Sequence, residues 1–578
     1  EGAVLEALLL GERRRMDHGL TRSLQEAGIF HLFAISGAHI AIISFLLFSV
    51  FRLFRLKEGL RYIFLIVFLV HYALLVEGRP SVMRATVMAL AYMVGKLLWR
   101  NVHLLNTLSF SAFFLLLFNP VSLFSLGFQL TFAATLSIIL FFPRVMSHLP
   151  RLPLRISEIF ALSLTAQAGV LPFILLAFNR VTFASLVLNF VAIPLVGLIM
   201  AFGAIFLLLS VTYAPLAGLL SQGLGAGVRA LIATTEILDP FPWLSLRVPT
   251  PKLSLVLLYF LLLGSFLLPR ALRKIKPLSG IGFLVVLALL VTSPFPSRSD
   301  NLKVTFLDVG QGDSVLVEFP GKKKMLVDGG GVPGDTFDVG EYVVSPFLWR
   351  KGIKKIDYLV LTHAHPDHLN GLKAVARNFR IGEFWEALSP SESPSYSELK
   401  RLLPATTIRR RLFRGGGFST DGVTIQVLNP EEGPHSVPHV HNDQSLVLRI
   451  VYGKTSILLA GDIGWKAEKD LVEAGLPLRS WVLKSPHHGS DSSSSEIFMN
   501  AVAPKIVVIS VGAGNRYGFP DSVVLDRYAR WGAQVYRTDT DGAVEIRSDG
   551  SDVGVRTASS RHAPKGPLFP ETRRAAVD

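Results

Sequence analysis

The sequence predicts two parts in tandem: a polytopic α-helical membrane domain, then an α/β domain in which two sheets pack together with helices outside (αββα). Three observations predict this. Up to about residue 293 the chain is a succession of apolar runs, many near the ~20 residues a membrane crossing needs. From about residue 300 onward, short strands, turns and charged helices alternate. Within that second part His363, His365, Asp367 and His368 crowd the end of one apolar, β-favouring run at 358–361. Imidazoles and a carboxylate so grouped form a set of N and O metal ligands.

Composition agrees with the division. The 578 residues are too many for one hydrophobic core, and the averages of 50% hydrophobic and 17% charged residues are taken over two unlike halves. The net charge of +15 is weak evidence for nucleic acid, because cytoplasmic-loop Lys and Arg account for much of such an excess in a membrane protein. The chain has no cysteine, which excludes a disulfide scaffold and a thiolate metal site; any metal must be held by His, Asp or Glu. It opens on Glu1 without a signal peptide, so a native upstream segment is expected to be missing.

Taken in order, residues 1–27 read as an amphipathic N-terminal segment, and 28–296 as the membrane domain. Crossings are expected at 29–51, 61–77, 81–98, 104–118, 121–142, 157–178, 183–211, 252–268 and 279–295. The stretch 214–237, with several glycines, Arg229 and Glu236, could span, re-enter or lie in the interface. Basic clusters around residues 52–61, 100, 144–155 and 270–276 belong in the cytoplasm by the positive-inside rule. Alternation then requires 214–237 to cross, giving about ten crossings with both ends outside. Ser36, His39, Arg84, Gln129, Gln167 and Asn189 are polar groups inside these spans. Singly each suits an interhelical hydrogen bond; together they suggest a water-lined route. Turn formers over 294–300 mark the junction, with a linker at 297–301, the second domain at 302–556 and a disordered tail at 557–578.

In the second domain, alternating strands near 302–307, 314–319 and 324–327 precede the strand that ends at His363, with helices at 340–351 and 369–379. On an extended backbone His363 and His365 point the same way. Asp367 and His368 follow past a Pro-induced turn and can face a second metal about 3.5–4 Å from the first, as in two-metal hydrolases. The strand at 456–460 ends in Gly461-Asp462, which places Asp462 to bridge two ions, and that near 481–485 ends in His487 and His488. His439, His441, Asn442 and Asp443 stand just before the strand at 446–451.

The motif His363-X-His365-X-Asp367-His368, with Asp462 and a later His, resembles the metallo-β-lactamase superfamily. The phrases DVGQGDS (308–314), LVDGG (326–330) and KSPHHGS (484–490) resemble more narrowly the ComEC-type DNA-internalisation proteins. In the membrane half HLFAISGAH (31–39), PSVMRA (80–85), Asn119-Pro120 with GFQL (127–130), and NFVAIP (189–194) resemble that family's competence domain. The resemblance spans nearly all of residues 1–550. That family usually carries a further N-terminal membrane segment and a small OB-type domain, which again suggests a truncated chain.

The resemblance implies a bacterial inner-membrane channel that carries single-stranded DNA inward, with an extracytoplasmic metallo-β-lactamase-like domain that hydrolyses the other strand. It implies two divalent ions, Zn or Mn. His363, His365 and a third ligand hold one ion, and Asp367, His368 and His488 the other, with Asp462 bridging and Asp367 and Asp462 catalytic. His488 is preferred to His487 because the superfamily ligand commonly sits immediately before Gly. The third ligand stays open between His441 and a neighbour, since relatives often have Asn there. Supporting roles fall to His487, Asp308, Asp313, Asp328, Asn442, Asn515 and Tyr517. The family's Asn-X-Tyr-X-His-Pro phrase appears with Phe519 in place of His, which puts a leaving-group acid in doubt.

Lys322–Lys324 and Arg409, Arg410, Arg411 and Arg414 could grip a DNA backbone or form a solvated face. Trp349, Trp385 and Phe413 read as core or rim residues. The expected partners are DNA, membrane lipid, a DNA receptor outside and, because no P-loop is visible, a separate cytoplasmic ATP-driven translocase. Two rival readings stand beside this one: a channel whose outer domain only guides a strand, and a membrane-tethered phosphoesterase acting on an envelope polymer.

Overall fold

The chain divides by its contacts into two units, Glu1–Ser293 and Pro294–Asp578. The structure, a computed structural model, describes residues 1–13, 15–33, 37–76, 80–98, 101–237, 241–268, 276–292, 298–387, 393–432 and 442–559.

The first unit is helical. Two short helices, α1 (Gly2–Leu9) and α2 (His18–Glu26), precede α3 (Gly37–Leu53), α4 (Glu58–Leu75), α5 (Pro80–Leu97), α6 (Leu104–Phe118) and α7 (Leu126–Met146). Then come α8 (Ile156–Phe178), α9 (Ala184–Thr212), α10 (Ala214–Glu236), α11 (Leu253–Ser265) and α12 (Lys276–Thr292). Among the described residues five helices, α4, α7, α8, α9 and α10, are long and apolar enough to cross a membrane. They include the doubtful stretch 214–237. Large apolar side chains such as Phe45, Phe64, Phe113 and Leu208 face outward, as lipid-facing positions do.

Two readings shift. Residues 1–27 are two helices rather than one segment, and the apolar side chains Val4 and Leu8 of the first are buried in a cluster with Leu188 and Val196 of α9. The crossing expected at 121–142 begins later, because Pro120–Phe124 forms a 3-10 turn and Ser125 then caps α7 by accepting from the Phe128 N–H at 3.3 Å. Strands β1 (Arg180–Thr182) and β2 (Ser245–Arg247) pair antiparallel between these helices.

The second unit is an αββα sandwich. Its eight-stranded sheet contains β3 (Leu302–Phe306), β4 (Val315–Glu318), β5 (Lys324–Val327), β6 (Lys355–Leu361), β7 (Arg380–Ala387), β8 (Ile408–Leu412), β16 (Val544–Ser548) and β17 (Val553–Thr557). The order is β17-β16-β3-β4-β5-β6-β7-β8. The seven-stranded sheet contains β9 (Gly417–Thr420), β10 (Val423–Asn429), β11 (Val447–Tyr452), β12 (Thr455–Leu459), β13 (Val482–Lys484), β14 (Ile506–Ile509) and β15 (Gln534–Arg537), in reverse chain order. Apolar side chains alternate along each strand, so one face of each sheet builds a shared core from residues such as Phe306, Val317, Ile450 and Val508.

The other faces carry helices. Leu369 and Leu372 of α14 (Pro366–Asn378), with Trp349 of α13 (Ser345–Arg350) and Leu399 of α15 (Pro394–Leu402), cover the first sheet. Leu471 of α16 (Trp465–Glu473), Phe498 of α17 (Glu496–Val502) and Tyr528 of α18 (Ser522–Arg530) cover the second, and a last turn, α19 (Thr538–Asp541), follows β15. Trp349 and Trp385 are core residues.

β5 runs parallel to β6, and β12 parallel to β13, so each pair opens its carboxyl ends toward one edge of the sandwich. There the loop after β5 meets α14 backbone to backbone. The Gly329 N–H donates to the His368 carbonyl at 2.7 Å, and the Gly371 N–H to Gly330 at 2.9 Å. Glycine is required at 371, since a Cβ there would strike the Gly329 carbonyl.

Candidate metal centre

His363 stands two residues past the end of β6. His365 is the N-cap of α14 and Pro366 its first residue, which is where proline's fixed φ suits a helix. The expected Pro-induced turn is thus the first turn of α14 itself, and Asp367 and His368 lie in it. The Nε2 of His363 is 3.0 Å from Nδ1 of His365. Asp462 comes from the loop after β12, with its N–H on Ser445 Oγ at 3.3 Å. His487 and His488 follow β13 in the left-handed region, with φ of 46° and 56°.

These loops converge on one oxygen. Asp462 Oδ2 is 3.1 Å from His368 Nε2, 3.4 Å from His488 Nε2 and 3.9 Å from His363 Nε2. Asp367 Oδ2 stands 3.4 Å from His488 Nε2. Each imidazole is oriented from behind: His368 Nδ1 donates to Asp328 Oδ2 at 2.8 Å, and His488 Nδ1 to the Ser510 carbonyl at 3.0 Å. Such partners select the tautomer that turns Nε2 inward. Asp328 also accepts from the Thr362 N–H at 2.8 Å and Oγ1 at 2.7 Å.

The donor set fits a metal ion. Asp367, His368, Asp462 and His488 each offer a ligand atom, all within 4.8 Å of one another. Among the described residues, His488 Nε2 is buried without a hydrogen bond. Electrostatics reinforce the grouping. Burial opposes charge on His368, but Asp462 and Asp328 outweigh it and hold its pKa well above the ordinary imidazole value. Burial likewise opposes charge on His488, yet Asp462 and Asp313 push it up to about 10. Asp462 lies well below the carboxylate range, because His368, His488 and Lys484 overcome its burial. His363 is pushed well below the imidazole range by burial and by its charged neighbour His368.

Of the supporting residues named from sequence, Asp313 and Asp328 are buried at the centre. Asn442 Nδ2 is 3.2 Å from His487 Nε2, and both line a cavity of about 340 Å³ with His365, Asp443, Asp462 and Ser492. His441 lies outside the described residues. Asp308 is exposed and accepts from the Gly310 N–H at 3.3 Å. Asn515 organises its own loop, donating to the Phe519 carbonyl at 2.7 Å and accepting from the Phe519 N–H at 3.1 Å. Tyr517 is half exposed and stacked on Phe519 with ring centroids 5.5 Å apart, and the Phe519 and His487 rings meet edge to face with centroids 5.9 Å apart. Lys484 was quoted from sequence only inside a motif, yet it is buried among Asp313, Asp462 and the Gly461 carbonyl. Its place directly before the Ser-Pro-His-His phrase was the available signal.

The polar residues of the helical unit find separate partners. Arg84 donates to Thr131 Oγ1 at 3.2 Å and Ser81 Oγ at 3.3 Å. Gln129 donates to the Leu123 carbonyl, Gln167 to the Thr182 carbonyl, and Asn189 to Ser163 Oγ. His39 is buried and hydrogen-bonds the backbone of Leu8. Ser36 lies outside the described residues. None of the described five lines the apolar cavity of about 320 Å³ between α7, α8 and α11.

A family model described as "Competence protein" matches residues 8–273, and one described as "Metallo-beta-lactamase superfamily" matches residues 307–512. The chain is 30% identical over 566 residues to ComE operon protein 3 of Bacillus subtilis, covering 94% of this chain and 71% of that protein. It is 29% identical over 557 residues to Competence protein ComA of Neisseria gonorrhoeae, covering 94% and 74%. Among solved structures, the metallo-beta-lactamase fold protein YhfI from Bacillus subtilis aligns over 43% of this chain and 100% of that one, at 13% identity and a TM-score of 0.30.

Proposed function

Because this chain belongs to the competence-protein family of ComE operon protein 3 and ComA, we propose that it is a channel for uptake of single-stranded DNA during natural transformation. It is a membrane protein with a metallo-β-lactamase domain. In this reading it sits in the bacterial inner membrane with about ten crossings, and the metal domain lies outside the cytoplasm. A receptor delivers the duplex, a cytoplasmic ATPase pulls one strand, and the metal domain hydrolyses phosphodiesters of the other.

One observation carries the hydrolase half of the proposal: Asp462 Oδ2 faces the Nε2 atoms of three histidines. Asp367, His368, His488 and Asp462 would hold one divalent ion. His363 and His365, with His441 or a neighbour and Asp462, would hold the other, as Zn or Mn. Such ions supply charge neutralisation at a phosphate and acidify water. The protein's part is to hold Asp367 and Asp462 ionised beside the phosphate and to present Asn442, His487 and Ser492 along the cavity. Lys324 is withdrawn from any grip on DNA, since it is 2% exposed. Lys323 is engaged with Thr420 Oγ1 at 2.8 Å. Arg409, Arg410 and Arg411 remain exposed along the edge strand β8.

The test is cleavage of labelled linear DNA by the full chain in maltoside micelles, with Mn²⁺ or Zn²⁺, beside Asp462→Ala. Metal-dependent cutting that Asp462→Ala abolishes is the expected result. A folded, metal-loaded chain that cuts nothing removes the nuclease. Phe519 favours a second reading, in which the domain guides a strand without cutting: an aromatic rim beside His487 can stack a base but cannot protonate a leaving group. Fluorescent DNA taken up by reconstituted vesicles would separate either channel from a tethered envelope phosphoesterase.

A further inference from the structure

The centre contains more carboxylates than the ligand set uses. Asp313 is 3% exposed, with Oδ2 3.8 Å from His368 Nδ1 and Oδ1 3.7 Å from His488 Nδ1. Together with Asp328 and His368 it makes a second buried trio whose ligand atoms lie within 4.8 Å of one another. His368 Nδ1 gives its proton to Asp328, so what the trio offers a cation is its two carboxylates. What it has beside it is Lys484, whose ammonium pairs with Asp313, donates to the Gly461 carbonyl at 2.9 Å and stands 3.4 Å from Asp462 Oδ1.

The two oxygens of Asp462 are thus divided, Oδ1 toward an ammonium and Oδ2 toward imidazoles. We propose that Lys484 is a positioning residue that acts as the built-in cation of the centre, withholding Asp313 from divalent ions and leaving Asp462 only Oδ2 to offer. The inference rests on the metal-centre reading above and deepens it. An ammonium on the protein chain cannot diffuse away, so it neutralises Asp313 permanently. The same charge repels a divalent ion held by Oδ2 a few ångströms away, strongly so where water is excluded. Lys484 therefore sets an upper limit on cation affinity and keeps the ions on the side of Asp367 and the cavity, where a substrate can reach them.

The sign of this effect separates it from a structural role, because removing a structural support can only weaken binding. Mn²⁺ binding would be measured on the full chain in micelles by chelator competition, with metal content per chain and the Mn²⁺ electron paramagnetic resonance spectrum. Lys484→Met should bind Mn²⁺ about tenfold tighter or take up a further ion. Asp313→Asn should bind about tenfold more weakly, since the ammonium then acts on Asp462 alone. The double variant should return to within about threefold of wild type. Unchanged or weaker binding by Lys484→Met overturns the proposal. If that variant fails to fold, the other two decide: unchanged binding by Asp313→Asn, or a double variant as weak as Asp313→Asn, overturns it. A wild-type chain that takes up no Mn²⁺ overturns the metal-centre reading itself and this inference with it.

Discussion

His368 Nδ1 lies 2.8 Å from Asp328 Oδ2, and this contact joins the end of β5 to the first turn of α14. Asp328 has φ of 59°, a left-handed conformation that Asn tolerates nearly as well. Asp328→Asn should therefore keep the loop while losing the charge behind the imidazole. Metal affinity is expected to fall by about 10–100-fold, read by chelator competition with Mn²⁺ or Zn²⁺.

The metal-free protein should lose stability as pH rises. His368 and His488 have pKa values raised in the folded state, His488 from 6.5 to about 10. Their contribution is fully present below the unfolded value and is lost as pH climbs through the folded one. Hydrogen exchange across α14 in the presence of a chelator should quicken between about pH 6.5 and pH 10 beyond the intrinsic rate. Asp462 and Asp367 act in the opposite sense, since their lowered pKa values give stability that is lost only in acid. Metal uptake near neutral pH should release protons from His368 and His488, measurable by calorimetry in buffers of different ionisation enthalpy.

Gly371→Ala should damage the centre without touching a ligand. A Cβ at 371 meets the Gly329 carbonyl, which is backbone and cannot rotate away. The expected loss is about 3 kcal/mol of stability, together with weaker metal binding because Asp328 and His368 are pushed apart. A thermal melt with and without Mn²⁺ reads both.

In the helical unit, Gly169 of α8 lets α7 approach closely. A Cβ there would lie 2.5 Å from Ser137 Cβ and 2.7 Å from the Ala133 carbonyl, and Ser137 Oγ donates to the Thr165 carbonyl at 2.6 Å. Small residues at such contacts are what hold membrane helices together. Gly169→Leu should lower the melting temperature of the chain in micelles, while Gly197→Leu, whose site is open, should not.

Much of the candidate metal centre was legible because a strand end followed by a helix start packs His363, His365, Asp367 and His368 into one run. Asp462 and the pair His487-His488 were legible for a related reason, since each stands within a few residues of the end of a strand-like run. The choice of His488 over His487 took a resemblance in sequence; in the structure it follows from a backbone that turns one ring inward onto Asp462 and leaves the other on the cavity wall.

By itself the sequence determined the two-part architecture, the apolar helices and the order of the His- and Asp-bearing runs, all properties of local composition and period. Only the tertiary structure decided that Asp308, Asn515 and Tyr517 stay outside the cluster, that α1 is buried against α9, and that Arg84, Gln129, Gln167 and Asn189 each find a hydrogen-bond partner of their own. It also decided that Lys484 faces Asp313. The reason is the same throughout: a side chain's partner depends on which distant segments the sheets and helices bring to one edge, and a buried charge becomes tolerable only once that partner has arrived.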